Sequence, residues 1–126
     1  MDTSTIPLLL VEDEPDLREA LSEYLEACGF MVTGVATAAE ALQSAASQPP
    51  TIVLSDLSLP DRRGDAFLEE FHSRWPKALL YIHSGDSLYH PSGALQASGL
   101  TLDRVFSKPC DLSSMVARFR VDLSLS

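Results

Sequence analysis

The sequence predicts an α/β domain in which five parallel strands form a doubly wound sheet with helices on both faces. Short apolar runs alternate five times with stretches of helical spacing, which is the pattern of βα units. The chain has 126 residues, about the commonest size for a single domain. We therefore expect one domain over residues 1–126, with a core over about 6–123. Hydrophobic residues make up 45% of the chain and charged residues 21%, which is an ordinary globular balance.

The first βα unit has the clearest boundaries. The apolar run over residues 8–11 stops abruptly at acidic residues and is typical of a strand that is buried on both faces. Apolar residues then recur at helical spacing over 17–28. Pro15 suits the first turn of this helix, and Gly29 suits the position just past its end.

The second and third units follow the same pattern. A strand is predicted over residues 30–35, although Gly34 interrupts it. An alanine-rich helix is predicted over 38–46 and ends before two consecutive prolines. The apolar run over 51–55 predicts the third strand, which leads directly to Asp56.

The fourth and fifth units are less regular. Helical spacing over residues 67–75 is followed by a predicted strand over 79–83. The segment 85–102 contains a proline and two internal glycines, so we expect any helix there to be short or broken. A fifth strand is predicted over 104–107, before a last helix that Asp111 can cap.

Chemically active side chains follow the predicted strands, at the edge where a doubly wound sheet binds its ligands. They are Glu12, Asp13, Asp56, Ser84 and Lys108. Three neighbouring carboxylates repel one another unless a cation joins them, and oxygen ligands suit Mg²⁺ or Ca²⁺ better than zinc or copper. A carboxylate can also attack phosphorus, and the central strand makes Asp56 the best candidate nucleophile. Ser84 and Lys108 would then stabilise charge on the transferred oxygens.

These strand-end segments resemble those of the receiver domains of two-component response regulators. The matching segments are Val11-Glu12-Asp13-Glu14, Asp56-Leu57-Ser58-Leu59-Pro60-Asp61, Ser84-Gly85 and Lys108-Pro109. Each segment is common by itself, but all four in this order at strand ends form a specific pattern. The resemblance extends over essentially the whole chain, from residue 8 to about 123.

The resemblance implies a flavodoxin-like strand order, 2-1-3-4-5, and a Mg²⁺ cofactor. Asp56 would accept the phosphoryl group and would also ligate the metal. Asp13 would be a direct metal ligand, Glu12 would act through water, and the backbone carbonyl of Ser58 would complete the protein ligands. Gly64 matches the glycine that usually opens the helix after the third strand.

The resemblance also assigns a switch. Ser84 would move onto the phosphate, Lys108 would pair with it, and the Lys108–Pro109 peptide bond would be cis. The family usually carries Tyr or Phe three residues before this lysine, where this chain has Val105. Because neighbouring residues of a strand point to opposite faces, Phe106 cannot replace that aromatic side chain.

The implied function is a phosphate-accepting signalling switch rather than an enzyme with outside substrates. A histidine kinase or a histidine phosphotransfer protein would transfer a phosphoryl group to Asp56, and the surface of the fourth and fifth βα units would change. Self-phosphorylation from small phosphodonors and autodephosphorylation would be the only reactions. The sequence identifies no output partner, and it leaves a phosphorylation-dependent homodimer open.

Three alternative functions share some of these features. A pseudo-receiver would keep the fold as an interaction module without phosphorylation; Val105 favours it, whereas the complete strand-end set opposes it. The chain could also be the receiver portion of a hybrid histidine kinase. A haloacid-dehalogenase-like phosphatase needs a second aspartate two residues after its nucleophile, where this chain has Ser58.

Composition excludes several other classes. The formal net charge of −9 argues against direct DNA binding, which needs basic side chains to neutralise phosphates. No apolar run approaches the roughly 18 residues of a membrane span, and the N-terminus has no signal-peptide core, so we expect a cytoplasmic protein without membrane contact. Cys28 and Cys110 are expected to be free thiols.

Overall fold

The computed structural model describes residues 6–125, so the predicted range 1–126 begins and ends outside the described residues. Within them, five strands form one sheet in the order β2-β1-β3-β4-β5, and every neighbouring pair is parallel. The predicted order and direction are confirmed. The strands are β1 (Ile6–Val11), β2 (Phe30–Val35), β3 (Ile52–Asp56), β4 (Leu79–Ser84) and β5 (Val105–Ser107).

Helices connect the strands and end where the local sequence predicts. They are α1 (Pro15–Ala27), α2 (Ala38–Ser47), α3 (Gly64–Arg74), α4 (Gly93–Ala97) and α5 (Leu112–Leu125). Gly29, just past the end of α1, has a φ of 101°, a left-handed conformation that favours glycine. The Asp111 carboxylate accepts a hydrogen bond from the backbone N–H of Ser113 at 3.2 Å and so caps α5.

The sheet separates two apolar clusters, one on each face. The first cluster contains side chains from α2, α3 and α4, among them Ala41, Phe67, Phe71 and Leu95. The second cluster contains side chains from α1 and α5, among them Leu21, Leu25, Met115 and Phe119. Because both faces of the sheet are covered, β1 and β3 are buried over most of their length, as the sequence predicts for β1.

Strand β5 sends its side chains alternately to the two clusters. Val105 packs against the first cluster, whereas Phe106 packs against the second. The centroid of the Phe106 ring lies 5.9 Å from the centroid of the Tyr81 ring and 6.0 Å from that of the Phe119 ring. Phe106 therefore points to the opposite face from Val105 and cannot replace an aromatic side chain at position 105, as predicted.

The structure corrects several predicted boundaries. Strand β3 is shifted by one residue, from 51–55 to Ile52–Asp56, and β4 ends one residue later than predicted, at Ser84. Strand β1 begins at Ile6, two residues before the apolar run, because Ile6 and Pro7 pair with β2. Arg104 belongs to a 3₁₀ turn, Leu102–Arg104, and not to the fifth strand. Helix α4 has five residues, in agreement with the short helix expected in this segment. Cys28 and Cys110 are both free, as expected.

Candidate functional site

The carboxyl ends of β1 and β3 bring three acidic side chains together. Glu12, Asp13 and Asp56 each place one carboxylate oxygen within 4.8 Å of the others. This proximity follows from the register: Val11, the last residue of β1, pairs with Ser55 of β3. Parallel strands end at the same edge of the sheet, so the residues that follow or end them meet there.

Lys108 links two of these acids from the turn after β5. Its Nζ donates hydrogen bonds to Glu12 Oε1 at 3.1 Å and to Asp56 Oδ2 at 3.0 Å. Burial by itself would lower the pKa of Lys108, but the bonds to Asp56 and Glu12 raise it above its ordinary value, so the ammonium form is held. The Lys108–Pro109 peptide bond is cis, as predicted.

Glu12 is the most buried acid of the group, with 2% of its surface exposed. Burial raises the pKa of Glu12, and the hydrogen bond from Lys108 opposes this effect. Its second oxygen, Oε2, accepts the backbone N–H of Glu14 at 3.2 Å. The Glu12 side chain is 2% exposed, against 12% for Asp56, so its carboxylate is the least accessible of the three acids and suits a role through water better than direct metal ligation.

Asp13 differs from Glu12 in both burial and hydrogen bonding. Its side chain is exposed, and in the part of the chain that the structure describes no group donates a hydrogen bond to its carboxylate. Its oxygens are therefore available to a cation. The group as a whole offers only oxygen ligands, which fits a hard divalent cation such as Mg²⁺.

Backbone groups of the loop after β3 contact Asp56. The Asp56 Oδ1 atom accepts the backbone N–H of Ser58 at 3.3 Å. Gly64 begins α3, as expected, and its N–H donates to the carbonyl of Leu57 at 2.6 Å. A Cβ atom at Gly64 would lie 1.9 Å from the backbone oxygen of Asp56, so only glycine fits this approach. The role of the Ser58 carbonyl as a metal ligand stays a prediction.

Ser84 lies at the same edge, but its hydroxyl is engaged elsewhere. Its backbone oxygen accepts the N–H of Lys108 at 2.8 Å, while its Oγ accepts the N–H of Asp86 at 3.0 Å. The Asp86 carbonyl accepts the N–H of Tyr89 at 3.3 Å, and Tyr89 packs against the first apolar cluster. The Ser84 hydroxyl is therefore joined to the loop between β4 and α4, and its movement onto a phosphate stays a prediction.

Sequence reasoning missed two side chains that support this region. The Arg18 Nη1 atom donates to the backbone oxygen of Glu12 at 2.8 Å. Asp61 accepts the backbone N–H groups of Ala38 and Ala39 at 3.0 and 2.9 Å and so caps α2. Asp61 lies within the motif after β3, but its partners are more than twenty positions away, so no local pattern indicates this contact.

The family profile described as "Response regulator receiver domain" matches residues 8–120. The chain is 33% identical over 113 residues to the transcriptional regulatory protein KdpE of Mycobacterium tuberculosis (strain CDC 1551 / Oshkosh), covering 90% of this chain and 49% of that protein. It is 32% identical over 116 residues to the KDP operon transcriptional regulatory protein KdpE of Escherichia coli (strain K12), covering 92% of this chain and 50% of that protein. The chain thus spans about half the length of these relatives.

Solved structures have the same fold. The CheY-like response regulator receiver domain protein from Methanospirillum hungatei JF-1 superposes with a TM-score of 0.84 at 24% identity, over 94% of each chain. The non-phosphorylated HemR receiver domain from Leptospira biflexa superposes with a TM-score of 0.80 at 25% identity, over 97% of each chain. Among the helices of residues 6–125, none has the length and apolar character to cross a bilayer.

Proposed function

The chain belongs to the response regulator receiver domain family of two-component systems, and we propose that it is a Mg²⁺-dependent switch that accepts a phosphoryl group on Asp56. One observation carries this proposal. The Asp56 carboxylate lies within 4.8 Å of two other acids and 3.0 Å from the Lys108 ammonium, at the sheet edge where such folds bind ligands.

The donor in this proposal is a phosphohistidine of a histidine kinase or of a histidine phosphotransfer protein. An Asp56 oxygen attacks the phosphorus, the new O–P bond forms, the P–N bond to the donor breaks, and the electron pair returns to the imidazole nitrogen. A carboxylate needs no general base for this step. Lys108 and Ser84 would contact the transferred oxygens, and bound Mg²⁺ would supply further neutralisation of their charge.

The site residues have distinct parts in metal binding under this proposal. Asp13 and Asp56 would ligate Mg²⁺ directly, together with the backbone carbonyl of Ser58, and Glu12 would act through water. The exposed carboxylate of Asp13, which accepts no hydrogen bond within residues 6–125, and the deep burial of Glu12 support this division. Mg²⁺ commonly takes one or two carboxylates and keeps places for water and phosphate oxygens.

The output of the switch would come from the fourth and fifth βα units. When Ser84 moves to the phosphate, its hydrogen bond from Asp86 is lost, and the loop that ends at Tyr89 can rearrange. Val105 gives β5 no aromatic side chain at the position where the family usually has one. The reactions we propose are limited to phosphoryl acceptance and autodephosphorylation.

We further propose a cytoplasmic protein that meets a kinase or phosphotransfer partner and an output partner. The KdpE relatives are named transcriptional regulatory proteins and are about twice as long as the matched region. With a net charge of −9, this domain itself would not bind DNA directly. A phosphorylation-dependent homodimer is one form that the output could take.

Intact-mass spectrometry after incubation with acetyl phosphate, with and without Mg²⁺, tests the proposal. We expect one phosphoryl adduct in the parent chain that requires Mg²⁺ and is lost in Asp56→Asn. Asp16→Asn, which removes an exposed acid outside the site, should be modified like the parent. An unchanged adduct in Asp56→Asn would contradict the proposal. No adduct, where a known receiver is modified in parallel, would favour the pseudo-receiver.

A further inference from the structure

The Asp13 carboxylate has less support than the other acids of the site. Lys108 donates hydrogen bonds to both Glu12 and Asp56, whereas no group within residues 6–125 donates one to Asp13. The position of this carboxylate therefore depends on the backbone that carries it. Whatever orients that backbone also orients the proposed metal ligand.

The backbone before Asp13 is held by a side chain of α1. Arg18 Nη1 donates to the carbonyl oxygen of Glu12 at 2.8 Å, and the N–H of Glu12 donates to the carbonyl of Val35 at 2.9 Å. The Glu12 carbonyl and the Asp13 N–H belong to one planar peptide unit. A hydrogen bond to that carbonyl consequently fixes the plane from which Asp13 extends.

Gly34 of β2 leaves the space that this contact needs. A Cβ atom at Gly34 would lie 3.2 Å from Arg18 Cγ and 3.3 Å from Arg18 Cδ, closer than ordinary van der Waals contact. The stem of Arg18 therefore packs directly over the glycine. The same glycine interrupts the apolar pattern of β2, at a point where the Arg18 stem lies close to the strand.

From these contacts we infer that Arg18 is a positioning residue, and that Gly34 makes its position available, so that the Glu12–Asp13 peptide presents Asp13 to Mg²⁺. The inference rests on the proposed function, because it concerns the metal site of that function. Groups that orient metal ligands without touching the metal commonly change metal affinity by about 10–100-fold when they are replaced.

The positive charge of Arg18 would by itself weaken Mg²⁺ binding, whereas the positioning role would strengthen it. A guanidinium near the acidic group repels a divalent cation, so its removal would strengthen Mg²⁺ binding if charge were its only effect. Loss of positioning would weaken Mg²⁺ binding instead. The sign of the change therefore separates the two roles.

Isothermal titration of the full chain with Mg²⁺ alone tests the inference. We expect Arg18→Ala to weaken Mg²⁺ binding by about tenfold, and Gly34→Ala, which keeps the charge, to weaken it as well. In the double variant the alanine at position 34 has no long side chain to displace. The double variant should therefore lose as much Mg²⁺ affinity as Arg18→Ala alone, because two substitutions that act on the same contact are not additive.

Two control variants make the same chemical changes elsewhere. Gly93→Ala adds a methyl group with no atom within 4 Å, and Arg74→Ala removes an exposed cation on α3, so neither should change Mg²⁺ affinity. Thermal unfolding without Mg²⁺ checks that each variant is folded. Gly34→Ala still tests the inference if Arg18→Ala does not fold.

The outcomes distinguish the inference from the proposed function. If the parent binds Mg²⁺ and Asp13→Asn does not, but Arg18→Ala binds more tightly and Gly34→Ala is unchanged, the positioning role is wrong and the metal site stands. If the parent binds no Mg²⁺, the metal site and the positioning role are both contradicted.

Discussion

His83 is a buried polar side chain that takes no part in the proposed chemistry. It lies on β4, pairs with Asp56 across the sheet and has 4% of its surface exposed. Within the described residues, neither imidazole nitrogen has a hydrogen-bonding partner. Burial lowers the pKa of His83 to about 4, so the ring is neutral in the folded protein at neutral pH.

The free energy of unfolding should therefore fall as the pH decreases from 7 to 5. The unfolded chain takes up a proton at His83 near pH 6.5, whereas the folded chain does so only near pH 4. Stability is thus lost as the pH falls through this window, by about 2 kcal/mol at pH 5 for this one group. Urea denaturation at pH 7, 6 and 5 measures the change.

His83→Phe should remove this component of the pH dependence and should be neutral or stabilising at pH 7, because no unpartnered nitrogen is then buried. His90→Phe changes an exposed histidine in the same way and should keep the parent's pH dependence. The same loss of stability in His83→Phe and in the parent between pH 7 and 5 would refute this explanation.

The residues of the site differ in how far their positions could be predicted. Glu12, Asp13, Asp56 and Lys108 meet because strand ends meet, and the strand ends are visible as apolar runs that stop at polar residues. Arg18 was not predicted, because it donates to a backbone oxygen. Any residue type has such an oxygen, so the sequence carries no mark of the contact.

Helix α5 is fixed to the sheet by a buried ionic group around Asp122. This carboxylate is 5% exposed and accepts a hydrogen bond from the Tyr81 hydroxyl of β4 at 2.6 Å. Arg104 Nε lies 3.0 Å from its Oδ2 atom, and Arg118 Nη2 lies 3.1 Å from its Oδ1 atom. One carboxylate therefore contacts a hydroxyl and two guanidinium groups that belong to three different elements.

Removal of this carboxylate should cost more stability than removal of the hydroxyl. Asp122→Ala removes the partner of the Arg104 guanidinium and of the Tyr81 hydroxyl, whereas Arg118 keeps its ion pair with Asp103, and we expect a loss of about 3 kcal/mol. Tyr81→Phe leaves Asp122 paired with both arginines, so about 1–2 kcal/mol is expected. Urea denaturation at pH 7 measures both, with Tyr24→Phe as a matched control that should have little effect. Equal losses for the first two variants would contradict the shared role of Asp122.

The elements also differ in how well the sequence predicts them. The central strands and α1 have long regular patterns, and their predicted and observed limits agree closely. The segment between β4 and β5 is less regular, and there the sequence predicts a strand from Arg104, whereas this residue lies in a 3₁₀ turn. Its side chain reaches Asp122, eighteen positions later, and a contact of that range is not visible in a local pattern.

At the scale of the whole molecule, the acidic edge should connect folding to metal binding. A ligand that binds only the folded state raises the free energy of unfolding by RT ln(1 + [L]/Kd), about 2.7 kcal/mol at a concentration of 100 Kd. We expect Mg²⁺ to raise the midpoint of thermal unfolding of the parent chain. In Asp13→Asn the increase should be largely lost.

Without Mg²⁺, the same substitution should leave the protein at least as stable as the parent, because one of three repelling carboxylates is removed. Scans with NaCl at equal ionic strength control for general screening of charge. An equal increase with Mg²⁺ in the parent and in Asp13→Asn would mean that the ion acts elsewhere on this acidic chain.

The shortness of β5 has a consequence for how molecules of this protein can associate. A strand at the edge of a sheet exposes unpaired backbone groups, to which a strand of another molecule can add. Strand β5 has three residues, and Pro109 follows soon after without an N–H group to donate. Extension of the sheet by a neighbouring molecule is therefore unfavourable on this side. Recognition here would depend on side chains of α5 and its flanking turns, which can be specific for one partner in a way that backbone pairing cannot.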